Sequence, residues 1–185
     1  MDTIHKNLLP TYDIFDENRY FERGNNPTCI QIKGVKIALT ICEDLWNIDG
    51  SSIYQDSPMD SLIKERPEFI VNIAASPFSH LQEKHRKKVF EFNSKKYGLP
   101  IYYVNHVGAQ TELIFDGNSC ITDQYGKHQV KLSSFKEDFI LVDSSIKRSN
   151  QEIIEPSKYE KIENALELGI NDYFKKLNFK TATLG

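Results

Sequence analysis

Residues 35–46 read Val-Lys-Ile-Ala-Leu-Thr-Ile-Cys-Glu-Asp-Leu-Trp, an aliphatic and β-branched run cut off by a cysteine, two acids and a tryptophan. Such a run predicts a buried strand over 35–41 that stops at the end of a sheet. In α/β sheets, ligands and reactive groups gather outside the carboxyl ends of the strands. Cys42 therefore stands where a nucleophile would be placed. A free cysteine is otherwise a small inert hydrophobe, so the company it keeps has to decide its role.

The rest of the chain supplies a layered α/β pattern around that strand. Residues 29–33 and 35–41 predict a hairpin turning at Gly34, and a short helix is predicted over 58–64 with Ser57 as N-cap and Pro58 at its first position. Residues 68–74 predict a second buried strand, which runs into Ala75-Ser76-Pro77-Phe78. Apolar residues at 81, 89, 92 and 97 predict an amphipathic helix over 81–97, closed by Gly98. Its basic cluster, Lys84 to Lys88, reads as a solvated face because Glu83 and Glu91 flank it. A third strand is predicted over 101–105, then a loop at 107–110, then short strands at 113–116, 119–123, 128–132 and 138–142. Strand–helix–strand–helix–strand followed by a β-rich meander implies an α/β layered sandwich. Neither GxGxxG nor GxxxxGK[ST] occurs, which leaves no basis for a dinucleotide or P-loop site.

Residues 1–28 carry Tyr12, Phe15, Tyr20 and Phe21 without strand or helix periodicity, as a loop packed onto something would. The chain reads as beginning in mid-domain. A linker is expected at 144–155. Ser157 and Glu160 then form a capping box that opens a long helix. Ile162, Leu166, Ile170, Tyr173 and Leu177 predict one apolar face for it, and residues 179–185 read as the start of a strand.

Composition excludes more than it selects. A net charge of −3 from 23 basic and 26 acidic residues, with a pI near 6.0, gives no reason to expect nucleic acid or an acidic membrane as partner. No apolar run reaches the roughly 20 residues of a membrane helix. The N-terminus lacks the features of a signal peptide. Cys29, Cys42 and Cys120 are too scattered for a disulfide framework or a zinc site, and Cys29 and Cys120 are expected to be buried structural thiols. The expected setting is cytoplasmic, reduced and metal-free.

Several ordered blocks then converge. They are Lys6-Asn7-Leu8-Leu9-Pro10-Thr11-Tyr12, Phe15-Asp16-Glu17, Arg19-Tyr20-Phe21, Ile41 to Trp46, Ala75 to Phe78, Tyr103-Val104-Asn105 with Val107-Gly108, and Glu112 to Gly117 with Ser119. Together they resemble the carbon–nitrogen hydrolase (nitrilase) superfamily, and more narrowly the glutaminase domain of glutamine-dependent NAD synthetase. The resemblance implies a nitrilase-like α-β-β-α sandwich over residues 1–143, lacking its N-terminal strands and helix. After the linker, residues 156–185 would be the first helix of a second α/β domain of the ATP-pyrophosphatase type. It also implies a Cys–Lys–Glu catalytic set, with Cys42 as nucleophile and Lys6 as its cation. Tyr12, Glu43, Trp46, Ser76 and Arg86 would surround the glutamine.

The residue types suit that chemistry. A cysteine thiolate attacks the side-chain amide, forms a thioester and releases ammonia. A free thiol is mostly protonated at neutral pH, and neighbouring acids raise it further, so an ammonium group is wanted beside it. The glutamate base that the resemblance places ahead of the lysine has no counterpart, since Asp2 is the one acid before Lys6. The chain alone is therefore expected to be inactive. The resemblance implies glutamine as substrate, deamido-NAD, ATP and magnesium for the absent synthetase domain, and no cofactor in this chain. The open edges of a partial sandwich lead us to expect self-association into a homo-oligomer. Gln82 stands near where the family often has lysine, which leaves open a nitrilase-type amidase of another small amide. A non-catalytic domain acting in assembly is the third reading.

Overall fold

The computed structural model describes residues 3–48, 54–143 and 156–185. Along the chain run α1 (Glu17–Tyr20), β1 (Ile30–Ile32), β2 (Val35–Ile41), α2 (Pro58–Leu62), β3 (Phe69–Ala74), α3 (Gln82–Tyr97) and β4 (Ile101–Asn105). They continue with β5 (Val107–Gln110), β6 (Leu113–Asp116), β7 (Cys120–Thr122), β8 (His128–Lys131) and α4 (Lys158–Lys176). Six strands form one sheet in the order β1-β2-β3-β4-β7-β8, and β5 with β6 forms a separate hairpin. The β2–β3 and β3–β4 pairs are parallel and the outer pairs antiparallel. The mixed α/β architecture matches the layered expectation.

Strand alternation assigns the two faces of this sheet. Ala38, Ile70, Ile101 and Tyr103 point toward the helices and form one core with Leu45, Met59, Leu62, Val89 and Phe90. Burying each large apolar side chain there contributes roughly 1.5–3 kcal/mol. The opposite face stands open at Ile73 (42% exposed) and Val104 (53% exposed).

Several local expectations need correction. Residues 107–110 form β5, paired with β6 from Val107↔Asp116 to Gln110↔Leu113. Gly108 and Ala109 are small and look like loop, yet the hairpin partner fixes them as strand. No strand forms at 138–142, where Phe139 is 84% exposed and has no neighbouring ladder. Ser57 makes no N-cap hydrogen bond; its hydroxyl meets Tyr97 Oη at 3.3 Å instead.

Helix α3 is turned relative to the predicted stripe. Arg86, Val89, Phe90, Asn93 and Ser94 face inward, while Leu81 and Phe92 are exposed. Polar anchors set this rotation: Asn93 Nδ2 donates to the Leu45 carbonyl at 2.8 Å, and Arg86 is held by Asp116. Gly98 takes φ +67° as the helix's C-terminal stop, as predicted.

Ser157 and Glu160 close the expected capping box on α4. The apolar stripe of that helix, however, does not face the fold. Leu166 (58% exposed), Ile170 (60%), Tyr173 and Leu177 lie outside, while Ala165 is buried. The helix docks on the β5–β6 hairpin through its small and polar side. Asp172 Oδ2 accepts from Ala109 N–H at 2.8 Å, and Lys176 Nζ donates to the Ala109 carbonyl. Gly169 permits the approach, since a Cβ there would lie 3.2 Å from Ile114 Cδ1. The unpaired amide and carbonyl of a hairpin edge demand polar partners, and that demand outweighs the apolar stripe. Residues 179–185 form no strand; Phe179 packs against Tyr173 and Phe174. The linker expected at 144–155 lies outside the described residues.

Asp172→Ala should cost about 1–2 kcal/mol of helix docking through loss of a charge-assisted hydrogen bond. Faster amide hydrogen exchange at Ala109 and along α4 is the expected readout; unchanged exchange at both would contradict the docking described.

Candidate active site

Strand β2 ends in a 3-10 turn, Cys42–Leu45, and Cys42 has φ +46°. That left-handed backbone is unfavourable for a residue with a Cβ, and such positions cluster at functional sites. It persists because the turn is tied down from three directions. Asn72 Nδ2 on β3 donates to the Cys42 carbonyl at 3.2 Å and to Thr40 Oγ1 at 2.9 Å. Asn93 on α3 holds the Leu45 carbonyl.

The third tie carries the N-terminal segment. Asp44 is buried, and one carboxylate oxygen accepts from both Asn7 N–H and Leu8 N–H, each at 2.9 Å. Its other oxygen accepts from Ile41 N–H at 2.9 Å. Burial holds the Asp44 pKa above the usual carboxylate range, with these amide bonds pulling the other way. One carboxylate thus seats the Lys6 segment on the turn that presents Cys42.

A cavity of about 380 Å³ opens where these pieces meet, and Lys6, Tyr12, Cys42, Glu43, Trp46 and Ser76 all line it. That volume suits a small-molecule substrate. Glu43 is buried; Tyr12 Oη donates to both of its oxygens at 2.9 Å, and Tyr54 Oη donates to Oε1 at 2.9 Å. Burial raises the Glu43 pKa, opposed by the two tyrosines and Lys6. Ser76 is held by Asn105, whose Oδ1 accepts from Ser76 N–H at 2.9 Å and whose Nδ2 donates to the Ser76 carbonyl at 3.3 Å. Lys6 Nζ lies 2.5 Å from Glu17 Oε2.

The Cys42 thiol is pushed up to about 11, first by burial; Lys6 and the Ala75 backbone N–H pull it down, and Glu43 and Glu17 push it up. Lys6 thus opposes, without cancelling, the burial and the two carboxylates that raise the thiol. Among the described residues, no cluster of His, Cys, Asp or Glu could hold a metal ion.

Arg86 belongs elsewhere. It is 3% exposed, and its two terminal nitrogens bind the two oxygens of buried Asp116, one at 2.8 Å. It lines a separate cavity of about 190 Å³ with Phe90, Cys120 and His128. Its place in the basic run Lys84 to Lys88 suggested an exposed side chain, but helix rotation carries it alone into the core. Of the other two cysteines, Cys120 is buried as expected and Cys29 only half-buried.

Three contributors were not assigned a role from the sequence: Asp44, Glu17 and Tyr54. Asp44 and Glu43 are adjacent acids that look alike in sequence, and only the fold sends one to the backbone and the other to tyrosines. Glu17 lies inside the Phe15-Asp16-Glu17 block, where its motif, not periodicity, was the available signal. Tyr54 had none, being in a polar loop. Gln82 lines the cavity as well, so the position that departs from the family pattern is in the site.

Fold and site together define an α/β protein whose strand-end cysteine shares a cavity with a lysine, an arrangement for nucleophilic attack. The chain belongs to the carbon-nitrogen hydrolase family, which residues 3–151 match. It is 39% identical over 190 residues to the glutamine-dependent NAD(+) synthetase of Synechocystis, covering 98% of this chain and 34% of that protein. It is 31% identical to the synthetase of the same name from Aquifex aeolicus, covering 97% of this chain and 37% of the relative. The structure of glutamine-dependent NAD+ synthetase from Acinetobacter baumannii superimposes with a TM-score of 0.78 at 30% identity, over 92% of this chain and 32% of that one. The chain thus spans about a third of the length of these relatives.

Arg86→Ala should destabilise the fold by about 3–5 kcal/mol, because it leaves Asp116 buried without its partner. Urea unfolding checks this. A loss below about 1 kcal/mol would mean that Arg86 is not the core residue described here.

Proposed function

We propose that this chain is the amidase region of a glutamine-dependent NAD synthetase, hydrolysing glutamine through a Cys42 thioester to supply ammonia. The observation that carries the reading is the single cavity shared by Cys42, Lys6, Glu43 and Ser76 at the end of the parallel strands. Cys42 Sγ attacks the side-chain amide carbon, and the Lys6 ammonium stabilises the oxyanion that develops there. Collapse expels ammonia and leaves a thioester, which water then hydrolyses to glutamate. Glu43, fixed by Tyr12 and Tyr54, and Ser76, fixed by Asn105, form the walls that orient the substrate. ATP-dependent amidation of deamido-NAD falls to the parts of the relatives that this chain does not span. Among the described residues, no helix is long and apolar enough to cross a membrane.

The thiol proton has to pass by way of a base to the departing nitrogen, a role that the resemblance gives to a glutamate ahead of the lysine. Gln82 in the cavity supports a second reading, an amidase of another small amide, since a neutral side chain binds a substrate carboxylate less tightly than a lysine.

The test uses a glutamine-shaped alkylator, 6-diazo-5-oxo-norleucine, with turnover measured in parallel. Labelling at Cys42 that glutamine slows and propionamide does not is the expected result. Protection by propionamide alone would favour the second reading. Labelling indifferent to both amides would leave a non-catalytic domain.

A further inference from the structure

The charges that line the Cys42 cavity do not balance. Among the described residues, Lys6 is the one cation there, and Glu17 and Glu43 are both carboxylates. Glu17 holds the lysine in an ion pair at 2.5 Å, so the charge of Glu43 is in excess. Both Glu43 oxygens accept hydrogen bonds, from Tyr12 and Tyr54, as those of an ionised carboxylate do. The tyrosine hydroxyls disperse that charge and do not cancel it. A carboxylate takes about four hydrogen bonds, which leaves acceptor capacity on Oε2.

Gln82 stands on the same cavity, half-buried, as the first residue of α3. Its amide can donate a hydrogen bond but carries no charge. Glutamine would bring two charged groups to this place. Its ammonium would neutralise the excess at Glu43, and opposite charges that match in this way offset the loss of water around them. Its carboxylate would be a third anion facing one lysine that is already paired. Like charges set against each other in a binding site oppose association strongly. Gln82 and Ser76 can donate hydrogen bonds to that carboxylate without neutralising it.

We propose that the cavity recognises its substrate by an ammonium group, held at Glu43, and that Gln82 is the specificity-determining residue that removes the need for a carboxylate. The substrate class is a primary amide whose ammonium lies as many carbons from the amide carbonyl as it does in glutamine. Glutamine is one member, and 4-aminobutyramide, its decarboxylated form, is another. The inference rests on the reading of Cys42 as the nucleophile of an amidase.

The experiment measures protection of Cys42 from iodoacetamide at pH 8, cysteine by cysteine with mass spectrometry, by three amides. These are glutamine, 4-aminobutyramide and glutaramate, which keeps the carboxylate and lacks the ammonium. The first two should half-protect Cys42 at concentrations within about threefold of each other, and glutaramate should need at least about tenfold more. Cys29, outside the cavity, is the internal control and should keep its rate throughout. In the Gln82→Lys variant, glutamine and glutaramate should each protect about tenfold better, and 4-aminobutyramide should not improve. Should that variant fail to fold, the ranking of the three amides on the unaltered chain decides alone. Glutaramate protecting as well as 4-aminobutyramide would overturn the proposal, as would a variant that shifts all three amides alike. Glutamine protecting about tenfold better than 4-aminobutyramide would overturn it too, and would leave the glutaminase reading standing. Protection by none of the three would take the amidase reading and this inference down together.

Discussion

The carboxylate of Asp44 is the joint on which the site depends. Residues 3–16 have no regular secondary structure of their own, so nothing intrinsic to that segment holds Lys6 in place. Asp44 gives it a fixed seat through Asn7 N–H and Leu8 N–H, while its second oxygen grips Ile41 N–H at the end of β2. Cys42 and Lys6 come from stretches far apart in sequence and meet because one buried side chain bonds to both stretches. Burying a carboxylate is unfavourable unless its oxygens are satisfied, and here backbone donors satisfy them. Backbone donors are indifferent to the side chains they belong to, so the joint fixes position without dictating chemistry.

On that joint the cavity balances opposing charges. Lys6 favours the Cys42 thiolate, and Glu17, which pairs with Lys6, and Glu43 disfavour it. The net result is a thiol held well above neutrality, so attack has to be assisted. Each carboxylate is itself restrained: Glu17 by the lysine, Glu43 by the two tyrosine hydroxyls. Preorganised groups of this kind need little rearrangement when charge develops on the substrate, which is where electrostatic catalysis gains.

The parallel centre of the fold was readable because its strands are continuous aliphatic runs that stop at polar residues. The buried strands β2, β3 and β4 fall within a residue of their predicted bounds. What misled was amphipathicity. On α3 and α4 the inward face is chosen by polar anchors, Asn93 and Arg86 on one helix and Asp172 and Lys176 on the other, and a hydrophobic stripe cannot announce them. The same blindness explains the site. Cys42, Lys6, Tyr12, Glu43, Trp46 and Ser76 were legible through their motifs and converge on one cavity. Arg86 was misplaced because its burial depends on Asp116, thirty residues away in sequence. Asp44 was unassigned because a carboxylate that bonds only to backbone leaves no partner residue type to recognise.

The central claim, that Asp44 acts on Cys42 by seating Lys6, is tested most directly by a double-mutant cycle on the Cys42 alkylation rate at fixed pH. Lys6→Met and Asp44→Ala are made singly and together, with folding of each checked by circular dichroism. If Asp44 works through the lysine, each single variant slows Cys42 and the double variant is little slower than Lys6→Met alone. Fully multiplicative effects on the rate would show that the two residues act independently, and would contradict the account.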